Sequence, residues 1–254
     1  NALGLDELKA HRIARLTAER HGGIVAPADY WHIHEVGGYA AWSDTEIGRP
    51  AHTWLTAMPP WQHFKNVCYH IRCADAQGFH AAILLTGHYG PNWEDLKTLV
   101  ELLQPLVGTR LYGLPEFESN HKGFDGAGKE TGDHAGKVET SLLWALRPEL
   151  VDVSRIPPHV PGQVFAMGRN AHEADRLVGE RMVADEIAWL SAKADELLSE
   201  YERLKPEHRF TTFAAVEAAW KERIEPVLPR FQTMQRNWSW QKDIPADSPW
   251  NKNR

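Results

Sequence analysis

Ten residues, Gly132-Asp133-His134-Ala135-Gly136-Lys137-Val138-Glu139-Thr140-Ser141, bring one imidazole, two carboxylates and two glycines into a single short segment. Histidine moves protons near neutral pH, and carboxylates take protons or bind hard and borderline cations. A second polar segment, Thr86-Gly87-His88-Tyr89-Gly90-Pro91-Asn92, follows an apolar run. Two such segments, each tied to a regular element, point to one site assembled from distant parts of the chain. Metal-dependent hydrolases collect their ligands in this way. A third cluster, Trp31-His32-Ile33-His34, alternates its imidazoles. On a strand both would face the same side, as a metal pair, as a substrate-recognition edge or as plain structure. Glu116 and Glu118 follow a strand end and could reach the site.

The elements that must position these residues are legible from periodicity. Asp6 to Glu19 reads as a helix with Leu8, Ile13, Ala14 and Leu16 near one face and its Lys, Arg and His elsewhere. Gly22-Gly23 ends it, and Ile24 to Pro27 reads as a short buried strand. Gln62 to Gly78 reads as a helix, His80 to Leu85 as a buried strand leading into Gly87-His88, Trp93 to Leu106 as a helix, and Thr109 to Leu114 as a strand. Strand, helix and strand in that order predict a right-handed crossover and a mainly parallel sheet. Ligands gather at the carboxyl ends of such strands, and His88 lies just beyond one. Glu116 to Thr131 reads as a loop over the site, and Glu139 to Leu146 as a helix stopped by Pro148. Ala171 to Leu204 reads as a long amphipathic helix with Leu177, Val178, Met182, Ile187, Leu190, Ala194 and Leu197 near one stripe. Thr212 to Val227 reads as a further helix carrying Phe213, Val216, Trp220 and Ile224. The tail from Arg230 to Arg254 holds Trp238, Trp240 and Trp250 with little periodicity.

Composition narrows the function classes. The 254 residues carry a net charge of -6 and no long basic run, which argues against nucleic-acid binding by a broad electrostatic patch. No apolar stretch approaches the ~18 residues of a membrane span. Cys68 and Cys73 lack the partners of a cysteine zinc site and read as two half-buried thiols, with a reduced, cytoplasmic setting expected. The 14 His suit metal or acid-base chemistry, and the 11 Trp offer apolar walls for a ligand or a subunit contact. A Gly-x-Ser-x-Gly elbow, a phosphate loop and a dinucleotide fingerprint are all missing from the sequence.

The two clusters, in this order, resemble the creatininase family. Thr86-Gly87-His88 is similar to the family's Asn-Gly-His loop, and His134-Ala135-Gly136-Lys137-Val138-Glu139-Thr140-Ser141 to its His-Ala-Gly-x-x-Glu-Thr-Ser segment. Ala145 to Val151 and Gly179-Glu180-Arg181 also look like the family, over about residues 1 to 200 in all. Asn1 to Asp6 resembles the second half of a motif that runs Glu-x-His-Gly-x-His and then Leu-Pro-Leu-Gly-Thr-Asp. By this alignment the first half, with a Glu and a His ligand, would precede Asn1. The resemblance implies two divalent ions, Zn or Mn, with Asp6 bridging both and His88 binding one. Gly90 stands where creatinine amidohydrolase has a ligand Glu, which weakens creatinine as substrate and leaves Glu139 to fill the place. Two ions would acidify a bridging water and polarise a carbonyl. His134 would shuttle a proton or donate to the developing oxyanion, and Asp133 would orient His134 or take a proton. Trp31, His32, His34 and Tyr89 are the candidate substrate-binding residues. Each residue also has a plain reading: Asp6 as an N-cap, His88 as a turn residue, Glu139 as a first-turn acid favoured by the helix dipole.

The expected fold is α/β, three-layer, with a mainly parallel central sheet flanked by helices. Residues 1–204 would form the hydrolase domain, and 205–254 a helical extension and Trp-rich tail suited to oligomer contacts. The expected activity is metal-dependent hydrolysis of a C–N amide bond in a small polar cyclic substrate. Hydrolysis of a C–C bond in a cyclic ketone, such as an oxidised inositol, is the alternative within enzymes. A non-catalytic binding protein with a decayed site is the rival from another class. The resemblance also implies a homo-oligomer, often a hexamer.

Overall fold

Helix α1 (Leu5–His21) starts at Gly4, whose φ of 82° needs no Cβ, and carries Asp6 and Glu7 in its first turn and Arg20 and His21 in its last. These charges oppose the helix dipole at both ends. Gly22, at φ 96°, turns the chain away and donates its N–H to the Ala18 carbonyl at 2.8 Å. The segment beyond it is no buried strand: residues 22–29 have no regular structure and Ile24 is 79% exposed. Two consecutive glycines direct the chain outward, away from the ladder formed by the described strands.

The computed structural model describes residues 4–29, 58–90, 92–130, 132–156, 158, 168 and 170–234. Further elements are α2 (Pro60–Ala76), β1 (Ala81–Thr86), α3 (Asn92–Leu103), β2 (Arg110–Pro115), α4 (Glu116–Ser119), α5 (Lys137–Leu146), α6 (Arg176–Leu204) and α7 (Phe213–Ala219). The described chain is mostly helical, and β1 and β2 pair as a small parallel sheet. Every residue of β1 is only half-buried, not fully buried as its apolar run suggests. A strand is sealed only when both faces and both edges are covered. No described helix is long and apolar enough to cross a membrane.

Two compact units emerge, the first comprising the described residues within Asn1–Tyr30, Leu85–Tyr89 and Pro115–Lys193, the second those within Trp31–Leu84, Gly90–Leu114 and Ala194–Arg254. In the first, α1 packs on α5, burying Ala10, Ile13, Leu142 and Leu143. Helix α6 lies on α5 so closely that a Cβ at Gly179 would sit 2.0 Å from the Ser141 carbonyl oxygen. That contact fixes the rotation of α6. Gly179, Met182, Val183, Glu186 and Leu190 turn inward, and Leu177, expected on the apolar stripe, is 74% exposed.

The second unit holds the larger core, in which Phe64, Ile71, Leu99, Leu103, Val107, Val216, Ile224 and Phe231 are buried together. Asp75 ties its loops: the carboxylate accepts from the N–H groups of Gly108, Thr109 and Phe210 and from the Arg209 guanidinium. After α7 the chain widens into a π turn, Trp220–Ile224, with the Glu225 N–H bonded to the Trp220 carbonyl at 2.8 Å. The wider turn keeps Val216, Trp220 and Ile224, spaced by four, on one buried face, while Phe213 is exposed. Both cysteines are free; Cys68 is buried, its thiol pushed up to about 12 by burial, and Cys73 is exposed, so neither is half-buried.

Candidate active site

The site of the first unit is built on the first turns of α1 and α5. The loop after β1 presses against α1, where a Cβ at Gly87 would lie 2.0 Å from the Asp6 carbonyl oxygen. Only glycine permits that approach, and it brings His88 Nδ1 to 3.3 Å from Asp6 Oδ2. Asp6 is therefore not the N-cap of α1; Gly4 holds that place, and the Asp6 carboxylate serves His88.

At α5 the Asp133 carboxylate accepts the N–H groups of Val138 at 2.8 Å and Glu139 at 3.0 Å, which satisfies two orphan donors of the first turn. Gly136 has no room for a side chain, since its Cβ would meet Asp133 Oδ2 at 2.3 Å and Asn170 Oδ1 at 2.4 Å. Between them Ala135 is held at φ 49°, a left-handed conformation uncommon outside glycine. Its N–H donates to Glu139 Oε2 at 2.6 Å.

Under this turn lies Lys9, which is fully buried. Its Nζ lies 2.7 Å from Glu139 Oε1, 3.2 Å from Glu116 Oε2 and 3.0 Å from the Tyr89 hydroxyl. Tyr89 donates its own proton to Glu116 and sets its ring edge-on to Phe117. The hydroxyl of this candidate substrate-binding residue is thus engaged internally. Glu116, read from sequence as part of a loop, opens the short helix α4 and is fully buried, because the Lys9 ammonium draws it inward. Glu186, from the inward face of α6, is buried against Glu116.

The electrostatics follow from this arrangement. Burial alone would lower the Lys9 pKa, yet Glu116, Glu139 and Asp6 outweigh it and hold the ammonium charged. Burial raises Glu139, Asp6 adds to the rise, and Lys9 and the Ala135 N–H oppose it. Glu186 is raised well above the usual carboxylate range by burial and then by Glu116. Burial raises Asp133 against the two helix N–H groups. His134, half-buried, is lowered by burial and by His88, which keeps its imidazole neutral and able to accept a proton at pH 7.

Asp6, His88, His134 and Glu139 are therefore brought together, with Asp133 at the first turn of α5 beside them. Lys9 and Glu186 were not expected. Lys9 was read as part of the polar face of α1, although it stands beside Ala10 and one turn before Ile13, both buried. Glu186 sits four residues from both Met182 and Leu190 on the inward line of α6. That spacing was the available signal in each case. Trp31, His32, His34, Trp238, Trp240 and Trp250 lie outside the described residues.

Asp6 and His88 offer a carboxylate and an imidazole side by side, a donor pair that suits Zn or Mn. Among the described residues no group of three or more His, Cys, Asp or Glu side chains is arranged to hold a metal ion. Glu139 faces Lys9 and Ala135, and does not close a trio with Asp6 and His88.

The family model for creatininase, described as creatinine amidohydrolase, matches residues 1–194, and the chain belongs to the creatininase family. Solved creatininase structures share its fold. A tryptophan-to-phenylalanine variant aligns with a TM-score of 0.59 at 22% identity, over 77% of this chain and 84% of that one. A glutamate-to-glutamine variant of Zn–Zn type gives 0.57 at 21% identity, over 77% and 83%. A manganese form of creatininase gives 0.57 at 21% identity, over 77% and 84%. No match was found among curated protein sequences.

Proposed function

We propose that this protein is a metal-dependent hydrolase that cleaves a C–N amide bond in a small polar cyclic substrate. One observation carries the reading: in a chain of the creatininase family, Asp6, His88 and the neutral His134 converge on one site. Two divalent ions, Zn or Mn, are the cofactor in this reading, in keeping with the Zn–Zn and Mn creatininases of the same fold. Asp6 and His88 would hold them. Bound there, the ions would supply Lewis-acid polarisation of the substrate carbonyl and an acidified water.

The chain's own residues do the rest. His134 accepts a proton through its neutral imidazole and returns it to the leaving nitrogen. Asp133 holds the first turn of α5, and with it the segment that carries His134. Glu139 fixes the Ala135 peptide beside that histidine. A three-layer arrangement around the small sheet and a homo-oligomer, with the Trp-rich tail as a contact arm, belong to the same proposal.

The test is metal content followed by turnover. The protein is purified without added metal or chelator, its Zn and Mn are counted, and cyclic amides are screened. Retained metal and metal-dependent ring opening support the reading. No metal, even after incubation with Zn or Mn, together with no turnover, overturns it.

A further inference from the structure

Glu139 uses its two oxygens in opposite directions. Oε1 takes the Lys9 ammonium at 2.7 Å, and Oε2 takes the Ala135 N–H at 2.6 Å. That N–H belongs to the peptide bond joining His134 to Ala135, so whatever holds Glu139 also sets the backbone plane from which the His134 side chain projects. The turn needs holding, because Ala135 is a non-glycine residue at φ 49°, in the left-handed region that side chains disfavour. Lys9 stands three residues after Asp6 on α1, on the same side of the helix, and Asp6 bonds His88. A buried ammonium is expensive unless its partners are fixed, and Lys9 has three: Glu139, Glu116 and the Tyr89 hydroxyl.

We propose that Lys9 is a positioning residue: through Glu139 it clamps the His134–Ala135 peptide, so that one turn of α1 sets His88 and His134 in register. The part of the inference that concerns catalysis rests on the reading of His134 as the proton-transfer group.

The test compares native protein with Lys9→Met and with the double variant Lys9→Met/Glu139→Gln. The double variant removes one charge of each sign and keeps a neutral acceptor for Ala135, while the buried Glu116 keeps the Tyr89 hydroxyl as its donor. Folding is checked by circular dichroism, and the readout is amide hydrogen exchange. In the folded variants, Ala135 exchange rises about tenfold or more while the Leu142 and Leu143 amides of α5 keep their protection. The His134 ring resonances shift in the same samples. Neither readout needs a substrate, so a protein without hydrolase activity would still test the clamp. Where turnover is measurable, kcat falls by about tenfold or more with KM nearly unchanged, as misplacement of a catalytic group requires. Native-level Ala135 protection and an unshifted His134 in the charge-balanced double variant would overturn the proposal, as would equal loss of protection throughout α5.

Discussion

At the scale of single residues, the site depends on groups whose neighbours decide their chemistry. His134 is shifted below the usual histidine value, first by burial and then by His88. Its basic form is therefore present at neutral pH and persists below about 6.5. We expect the His134 imidazole of the metal-free protein, followed by NMR titration, to protonate only below that pH; a midpoint above 6.5 would contradict this. His134→Gln should lower kcat by roughly 100-fold or more, as loss of a general base does, with metal content unchanged. His88→Ala should instead lower the metal bound per chain, measured by atomic emission after dialysis.

At the scale of elements, glycine decides how closely segments approach. The His88 loop rests on α1 because Gly87 has no Cβ to strike the Asp6 carbonyl. Gly87→Ala should cost about 1–3 kcal/mol, as overpacking against backbone does, and should part His88 from Asp6. The check is a urea melt combined with metal content; a stable variant that retains full metal would show that the loop can yield. Asp133 acts on the same scale, since its carboxylate caps α5. Asp133→Ala should cost about 1 kcal/mol, in the range of a lost helix cap, and should loosen the turn that carries His134. The rotation of α6 shows the limit of reading one helix alone. Its apolar residues permit more than one inward stripe, and the contact of Gly179 with Ser141 selects the one that buries Glu186 and exposes Leu177.

At the scale of the whole molecule, buried charges tie distant parts of the chain within each unit. Asp75 joins α2 to the turn before β2 and to Arg209 and Phe210 far along the sequence. Burial by itself would raise its pKa, but the Phe210, Thr109 and Arg209 hydrogen bonds outweigh that and hold it below the ordinary value. A depressed carboxylate contributes stability that is fully present above its unfolded pKa near 4, and that stability fades as pH falls through the lower native value. Exchange protection of the Thr109 and Phe210 amides should therefore weaken below about pH 4, and Asp75→Asn should weaken it already at neutral pH by roughly 3 kcal/mol. Equal protection in Asp75→Asn would mean that the surrounding packing, not the carboxylate, holds these loops.

The sequence alone determined the long helices around the site, the two strands and the order of the two polar segments, because periodicity, glycine punctuation and motif spacing are local properties; the short helix of Glu116 escaped it. It also determined the family, since His88 and the His134–Ser141 segment carry their meaning in residue type and order. Only the tertiary structure decided what each polar group does. Lys9 reads as one more solvated cation on an amphipathic helix until Glu116 and Glu139, more than a hundred residues away in sequence, close around it. Asp133 reads as a partner for His134 until the fold gives it two helix N–H groups to satisfy. The physical reason is common to both. The cost of burying a charge, and the partner that offsets it, are set by three-dimensional neighbours, and those do not exist until the chain has folded.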